Sequence, residues 1–141
     1  PVYEENEMRR KCALIAILVS LLLLSSCAVH VYRDYIDKVP SWLIGDWKSS
    51  NKDFDRLYIS IDDIRGWISG REISVKDDLR YNCGVNDEYT IGEDTYYLEL
   101  YYGGGRTKSF QFIKQGVDSF KVRYVERDYG TIMLDETFIR M

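Results

Sequence analysis

Thr95-Tyr96-Tyr97-Leu98-Glu99-Leu100-Tyr101-Tyr102 decides the fold. In an extended chain successive side chains point to opposite faces, so Tyr96, Leu98, Leu100 and Tyr102 share one side, and Thr95, Tyr97, Glu99 and Tyr101 share the other. The first side is apolar enough to enter a core, while the second mixes rings with a carboxylate. That is the pattern of a half-buried strand; a helix would scatter both sets around its circumference.

The same period recurs along the chain. Leu57, Ile59 and Ile61 alternate with Tyr58, Ser60 and Asp62; Phe110 and Phe112 with Ser109 and Gln111; Phe120, Val122 and Tyr124 with Lys121, Arg123 and Val125. Residues 66 to 75, Leu79-Arg80-Tyr81, Tyr89-Thr90-Ile91 and residues 132 to 139 are further β-rich runs. Turn residues separate them: Asn51-Lys52-Asp53, Asp62-Asp63, Lys76-Asp77-Asp78, Asn86-Asp87-Glu88, Gly92-Glu93-Asp94, Gly103-Gly104-Gly105, Gln115-Gly116 and Asp128-Tyr129-Gly130. This spacing predicts an all-β fold, a small antiparallel meander barrel of about eight strands over residues 42–141. With Leu57, Ile59, Ile61, Leu98, Leu100, Phe110, Phe112, Phe120, Val122, Ile132, Leu134 and Phe138 pointing inward, side chains nearly fill so small a barrel, and a large ligand cavity is not expected.

Leu43-Ile44-Gly45-Asp46-Trp47 opens the β region. A Gly-x-Trp at the first strand, after a short helical segment, resembles the first motif of lipocalins and related calycin barrels. The resemblance implies that Trp47 plugs the closed end of a lipocalin-like barrel, with a basic residue of the last strand, here Arg140, over its ring. The 95 residues from Trp47 to Met141 are fewer than a full lipocalin has. Read without the resemblance, Trp47 buries its ring in a β core of any kind. The tether before the barrel is expected to be a short amphipathic helix: Tyr32, Tyr35, Ile36 and Val39 recur at helical spacing, Asp34 precedes Lys38 by four, and Pro40 ends it.

At the other end, Met8-Arg9-Arg10-Lys11 precedes a 12-residue apolar run, Ala13 to Leu24, which closes on Leu24-Ser25-Ser26-Cys27. A basic cluster, a short apolar region and small residues before a cysteine are similar to a bacterial lipoprotein signal peptide and its lipobox. The resemblance implies cleavage before Cys27, lipid attachment at that thiol, and stable anchoring by two or more acyl chains. The domains expected are thus 1–26 as upstream residues and signal peptide, 27–41 as lipidated cysteine and tether, and 42–141 as barrel. Residues 1 to 7 place acids before the basic cluster, so Met8 reads as the initiator. Ala28 and Val29 after the cysteine, rather than aspartate, imply the outer membrane under the sorting rule of that family. The competing reading is an uncleaved span over Cys12 to Val31.

A formal net charge of -4 argues against nucleic acid as a partner, because phosphate neutralisation wants a basic stripe. Cys12 leaves with the signal, Cys27 takes lipid, and Cys83 alone remains as a small apolar packing residue. His30, the single histidine, sits in the tether, which removes histidine-based triads and metal sites. The paired acids fall where turns want Asx residues and match no calcium loop. No enzyme, cofactor or metal is therefore expected.

Tyr97, Glu99 and Tyr101 form the candidate contact surface, rings beside a carboxylate that suit stacking on a glycan or gripping an envelope protein. The leading expectation is a non-enzymatic, lipid-anchored envelope lipoprotein whose β domain binds another macromolecule. An inhibitor of lysozyme or protease is the first alternative: Tyr81-Asn82-Cys83 is similar to the Tyr-x-Cys of lysozyme-inhibitor lipoproteins, although that family's disulfide cannot form here. A carrier of a small hydrophobic ligand is the second.

Overall fold

The computed structural model describes residues 6 to 8, 11, 13, 15, 32 to 68, 70 to 126 and 131 to 141, without the side chains of 68 and 131 to 134. The chain forms two compact units, residues 1 to 31 and residues 32 to 141. In the first, the described residues are helical, and Glu7 pairs with Lys11 one turn on at 2.9 Å. Among the described residues no helix is long and apolar enough to cross a membrane. Cys27 and the residues around it lie outside the described set.

Among the described residues the second unit is a sheet of nine strands: β1 (Gly45–Lys48), β2 (Phe54–Ile59), β3 (Ile64–Ile68), β4 (Arg71–Ser74), β5 (Gly84–Ile91), β6 (Thr95–Tyr101), β7 (Thr107–Gly116), β8 (Ser119–Glu126) and β9 (Thr131–Arg140). Its order is β4-β3-β2-β1-β9-β8-β7-β6-β5, with every neighbouring pair antiparallel. Consecutive strands pair as hairpins, and β9 returns to β1. Only the β4–β5 connection is unpaired. The sheet is therefore a curled half-barrel, open along one seam, and a helix, α1 (Val75–Tyr81), links the two edge strands.

Register defines two ends. Pairs Gly45↔Ile59, Trp47↔Arg140 and Thr95↔Ile113 gather the turns at 60 to 63, 92 to 94 and 117 to 118 at one end, here the capped end. Pairs Lys48↔Arg56, Phe54↔Ile68, Gly84↔Tyr101 and Tyr101↔Thr107 gather the turns at 49 to 53 and 102 to 106 at the other, here the open end.

Inside the curl lie Trp47, Tyr96, Leu98, Leu100, Phe112, Phe120, Val122 and Phe138, all within 1% of full burial. The Phe120 ring meets Trp47 edge-on at 4.6 Å between centroids and stacks on Phe138 at 5.6 Å. Each such side chain stabilises the fold by about 1.5–3 kcal/mol through burial alone.

The expected all-β antiparallel meander is present, with nine strands among the described residues against about eight expected. Four expectations are corrected. Asn86-Asp87-Glu88, expected as a turn, lies inside β5. Residues 32 to 40 are extended and irregular rather than helical, followed by a 3-10 turn at Ser41–Leu43. They are also part of the compact unit, because Ile36 and Val39 are buried in its core. Leu79-Arg80-Tyr81, expected as strand, is the end of α1: Ser74 accepts from the Asp77 amide as N-cap, and acids in the first turn with Arg80 in the last suit the helix dipole. Ile61 is 65% exposed, because β2 stops at Ile59 and the alternation of residue types runs on into a turn.

Candidate functional site

The capped end is built on β1 and β9. Trp47 donates its indole N–H to the Leu43 carbonyl at 2.9 Å. The Arg140 guanidinium carbon lies 4.2 Å from the centroid of the Trp47 ring, and its nitrogens donate to the carbonyls of Ile44 and Trp42 at 2.9 and 3.0 Å. Gly45 is needed beneath it: a Cβ there would stand 2.5 Å from Arg140 Nη1, and its φ of +143° disfavours any side chain. Gly45, Trp47 and Arg140 thus form one closed cluster that tethers the entry turn to the last strand. It has no room for a ligand and reads as structural.

The seam is held by two buried carboxylates. Glu88 on β5, its side chain fully buried, accepts from Arg33 Nη2 at 2.6 Å, from the Tyr96 hydroxyl at 2.8 Å and from the Lys38 amide at 2.9 Å. Arg33 also pairs with Asp37, and its backbone bridges to Val85. These bonds strap residues 33 to 38 along the edge of the sheet. Asp63, on the turn before β3, accepts from the Ser74 hydroxyl at 3.0 Å, the Lys76 amide at 2.9 Å and Arg65 Nε at 2.9 Å, and so fixes the start of α1.

Because strap and helix occupy the seam instead of further strand pairing, the interior is not filled. A cavity of about 410 Å3 remains, which corrects the expectation of a packed interior. Phe54, Leu57, Ile64, Leu100, Phe112 and Val122 form its apolar wall. Its polar lining comes from Asn51, Asp53, Asp78, Tyr102, Lys108 and Tyr124, near the open end, and from Ser74 at the start of α1. The Tyr102 hydroxyl donates to Asp78 Oδ2 at 2.9 Å, and Lys108 Nζ lies 4.6 Å from the Tyr102 ring centroid and 3.7 Å from Glu126. Tyr124 donates to the same Glu126 carboxylate. Burial holds both phenols well above their ordinary range, so they are neutral donors at any physiological pH. Cys83 is partly buried beside Tyr102; burial pushes its thiol up to about 11, which makes it a packing group rather than a nucleophile.

Tyr97, Glu99 and Tyr101 are half-buried rather than solvent-facing. Tyr97 stacks on Tyr89 at 4.8 Å and donates to Glu99 Oε2 at 2.9 Å; Asn86 donates to the other Glu99 oxygen. Tyr101 stacks on Tyr32 at 4.5 Å. The three therefore lie side by side on β6, with their polar groups and rings already engaged by neighbours. No three His, Cys, Asp or Glu side chains gather as a metal cluster among the described residues.

No family model matches the chain. No curated protein matches it either. Among solved structures, the chain is similar to the crystal structure of Treponema pallidum pallilysin at 16% identity and a TM-score of 0.50, over 71% of this chain and 79% of that one. At that identity the likeness concerns the fold alone.

Proposed function

We propose that this protein is a lipid-anchored envelope protein, tethered through Cys27, whose lipocalin-like half-barrel holds a small amphipathic ligand. The observation that carries the reading is the cavity of about 410 Å3, apolar within and polar near the open end. Its size falls in the range of ~300–1,000 Å3 typical of small-molecule sites, where a few polar groups set orientation and apolar walls supply the affinity. The apolar part of the ligand would pack on Phe54, Leu100 and Phe112, with its polar group among Tyr102, Lys108 and Asp78. These side chains bind and orient; nothing in the reading asks them to make or break a bond.

The test is a titration with the fluorescent probe 1-anilinonaphthalene-8-sulfonate, followed by displacement with single-chain amphiphiles. Saturable, displaceable binding at one site supports the reading; a linear response to the probe, with no displacement, overturns it. The anchor is tested separately: labelled palmitate should enter the wild type and not Cys27→Ser.

A second reading keeps the Tyr97, Glu99 and Tyr101 face as a contact surface for an envelope protein or glycan, inhibition of lysozyme or protease being one form of it. It is favoured by exposed apolar neighbours on the same sheet, Tyr89 at 37% and Ile91 at 54%. Loss of partner capture in pull-downs with Tyr97→Ser and Tyr101→Ser together would support it; unaltered capture would place any partner elsewhere.

A further inference from the structure

We propose that the open end of the half-barrel is the face laid against an anionic bilayer, so that the mouth of the cavity looks onto the membrane surface. This rests on the lipid-anchor reading of Cys27 and goes beyond it by fixing which end of the domain meets the lipid.

The chain enters the domain at the open end. Tyr32 stacks on Tyr101, the last residue of β6, and packs so closely on Gly84, the first residue of β5, that a Cβ on that glycine would lie 2.2 Å from Tyr32 Cβ. Both contacts are at the open end. The buried Glu88 then holds the following residues to the sheet edge, so the entry point is fixed. Four residues separate Cys27 from Tyr32, five Cα-to-Cα steps and a reach of at most roughly 18 Å even when fully extended. An anchor that short holds the end it enters close to the lipid. The capped end lies farther away by the length of β6, seven residues or roughly 20 Å.

Charge favours the same orientation, independently of the entry point. Among the described residues the open end carries Lys52 and Arg106 in its turns, Arg71 at the start of β4, Arg80 near the end of α1 and Lys48 and Arg56 on the β1–β2 ladder, all exposed, against the exposed Asp53, Asp55 and Glu72. Asp78 is engaged by Tyr102, and Glu126 faces Lys108. The turns at the capped end carry Asp62, Glu93, Asp94 and Asp118, with Asp63 buried beside Arg65; Lys76 and Arg140 reach Asp62 and Asp118, and Lys114 and Lys121 lie on the adjoining strand ends. The difference draws the open end toward an anionic leaflet more strongly than the capped end. The open end also presents Tyr81, 72% exposed with Arg80 over its ring at 5.3 Å, a pairing suited to the headgroup layer, where amphipathic rings and cations reside.

The measurement is energy transfer from a donor dye on the lipidated full chain to acceptor-labelled headgroups, in phosphatidylcholine vesicles with and without phosphatidylglycerol. The dye is placed on Ser50→Cys at the open end or Val117→Cys at the capped end, both in a Cys83→Ser background. Transfer from position 50 should exceed that from position 117 by about twofold, given the separation of the two ends. The excess should grow with phosphatidylglycerol and shrink in the triple variant Arg71→Glu, Arg80→Glu, Arg106→Glu. Equal transfer from the two positions, or more from position 117, overturns the orientation. A chain that carries no acyl mass and washes off the vesicles overturns the anchor reading instead, and the orientation with it.

Discussion

Trp47 and Arg140 face each other across the β1–β9 ladder, with the guanidinium 4.2 Å from the ring centroid and bonded to two carbonyls of the entry turn. The pair joins the first strand to the last. Trp47→Ala should therefore cost about 3–5 kcal/mol, as large aromatic truncations in cores do. Arg140→Ala should cost about 1–3 kcal/mol, because it strands two acceptors as well as losing the ring contact. Urea denaturation measures both; a Trp47→Ala midpoint equal to wild type would show that the cap does not hold the sheet.

The strap makes residues 32 to 41 part of the fold. A chain beginning at Trp42 loses the bonds that Glu88 accepts from Arg33 and the Lys38 amide and uncovers that edge of the sheet. It also gives up the burial of Ile36 and Val39. A chain beginning at Tyr32 keeps both. The longer fragment should melt cooperatively and well above the shorter one, and coincident melting curves would refute the role given to Glu88.

Val122 lines the cavity and is itself 1% exposed, so Val122→Phe directs a ring into the empty space. Filling it should weaken probe binding by about tenfold, or 1.4 kcal/mol, with little loss of stability. Undiminished binding in a variant that keeps its denaturation midpoint would move the ligand out of the barrel.

Alkaline pH should destabilise the domain early. Burial, reinforced by neighbouring carboxylates, holds the Tyr96, Tyr102 and Tyr124 phenols above their ordinary 10.0, pushes Tyr97 up to about 12, and burial raises Cys83 from 9.0 to about 11. The folded chain keeps these protons after the unfolded chain has lost them. Their contribution is whole below about pH 9 and is lost progressively as pH rises through the folded values. Melting temperature should thus fall between pH 9 and 12, in step with delayed phenolate absorbance. A flat profile would mean that these hydroxyls are open to solvent.

The strand at 95 to 102 was legible because its face alternation is complete: its burial alternates residue by residue along β6. Elsewhere alternation misled. It ran past the end of β2 at Ile61, since residue types do not mark where pairing stops. Asn86-Asp87-Glu88 has the residue types of a turn but lies inside β5, where the register shift between Val85 and Asp87 brings Val85 and Glu88 to the same buried face. The helix at 75 to 81 has Leu79 as its buried residue, too little for a 3.6-residue period; Ser74, followed by Asp77 and Asp78, was its one visible sign. In the strap, Ile36 and Val39 suggested a helix, but the carboxylate of Glu88 takes the amide N–H of Lys38 that a helix would have spent internally. The cavity followed from the seam, which no count of inward side chains foretells.

In a closed barrel, strand number and shear together set the interior width, and changing it means re-registering every hairpin. Here β4 and β5 are joined by seven residues of helix instead of a ladder of hydrogen bonds. The bore is consequently adjustable. A longer, shorter or bulkier segment at 75 to 81 would widen or narrow the chamber while the eight hairpin and closing ladders stay as they are. Selection on what the chamber holds has a short target, and chains sharing this meander can diverge in ligand size without giving up the architecture that keeps them folded.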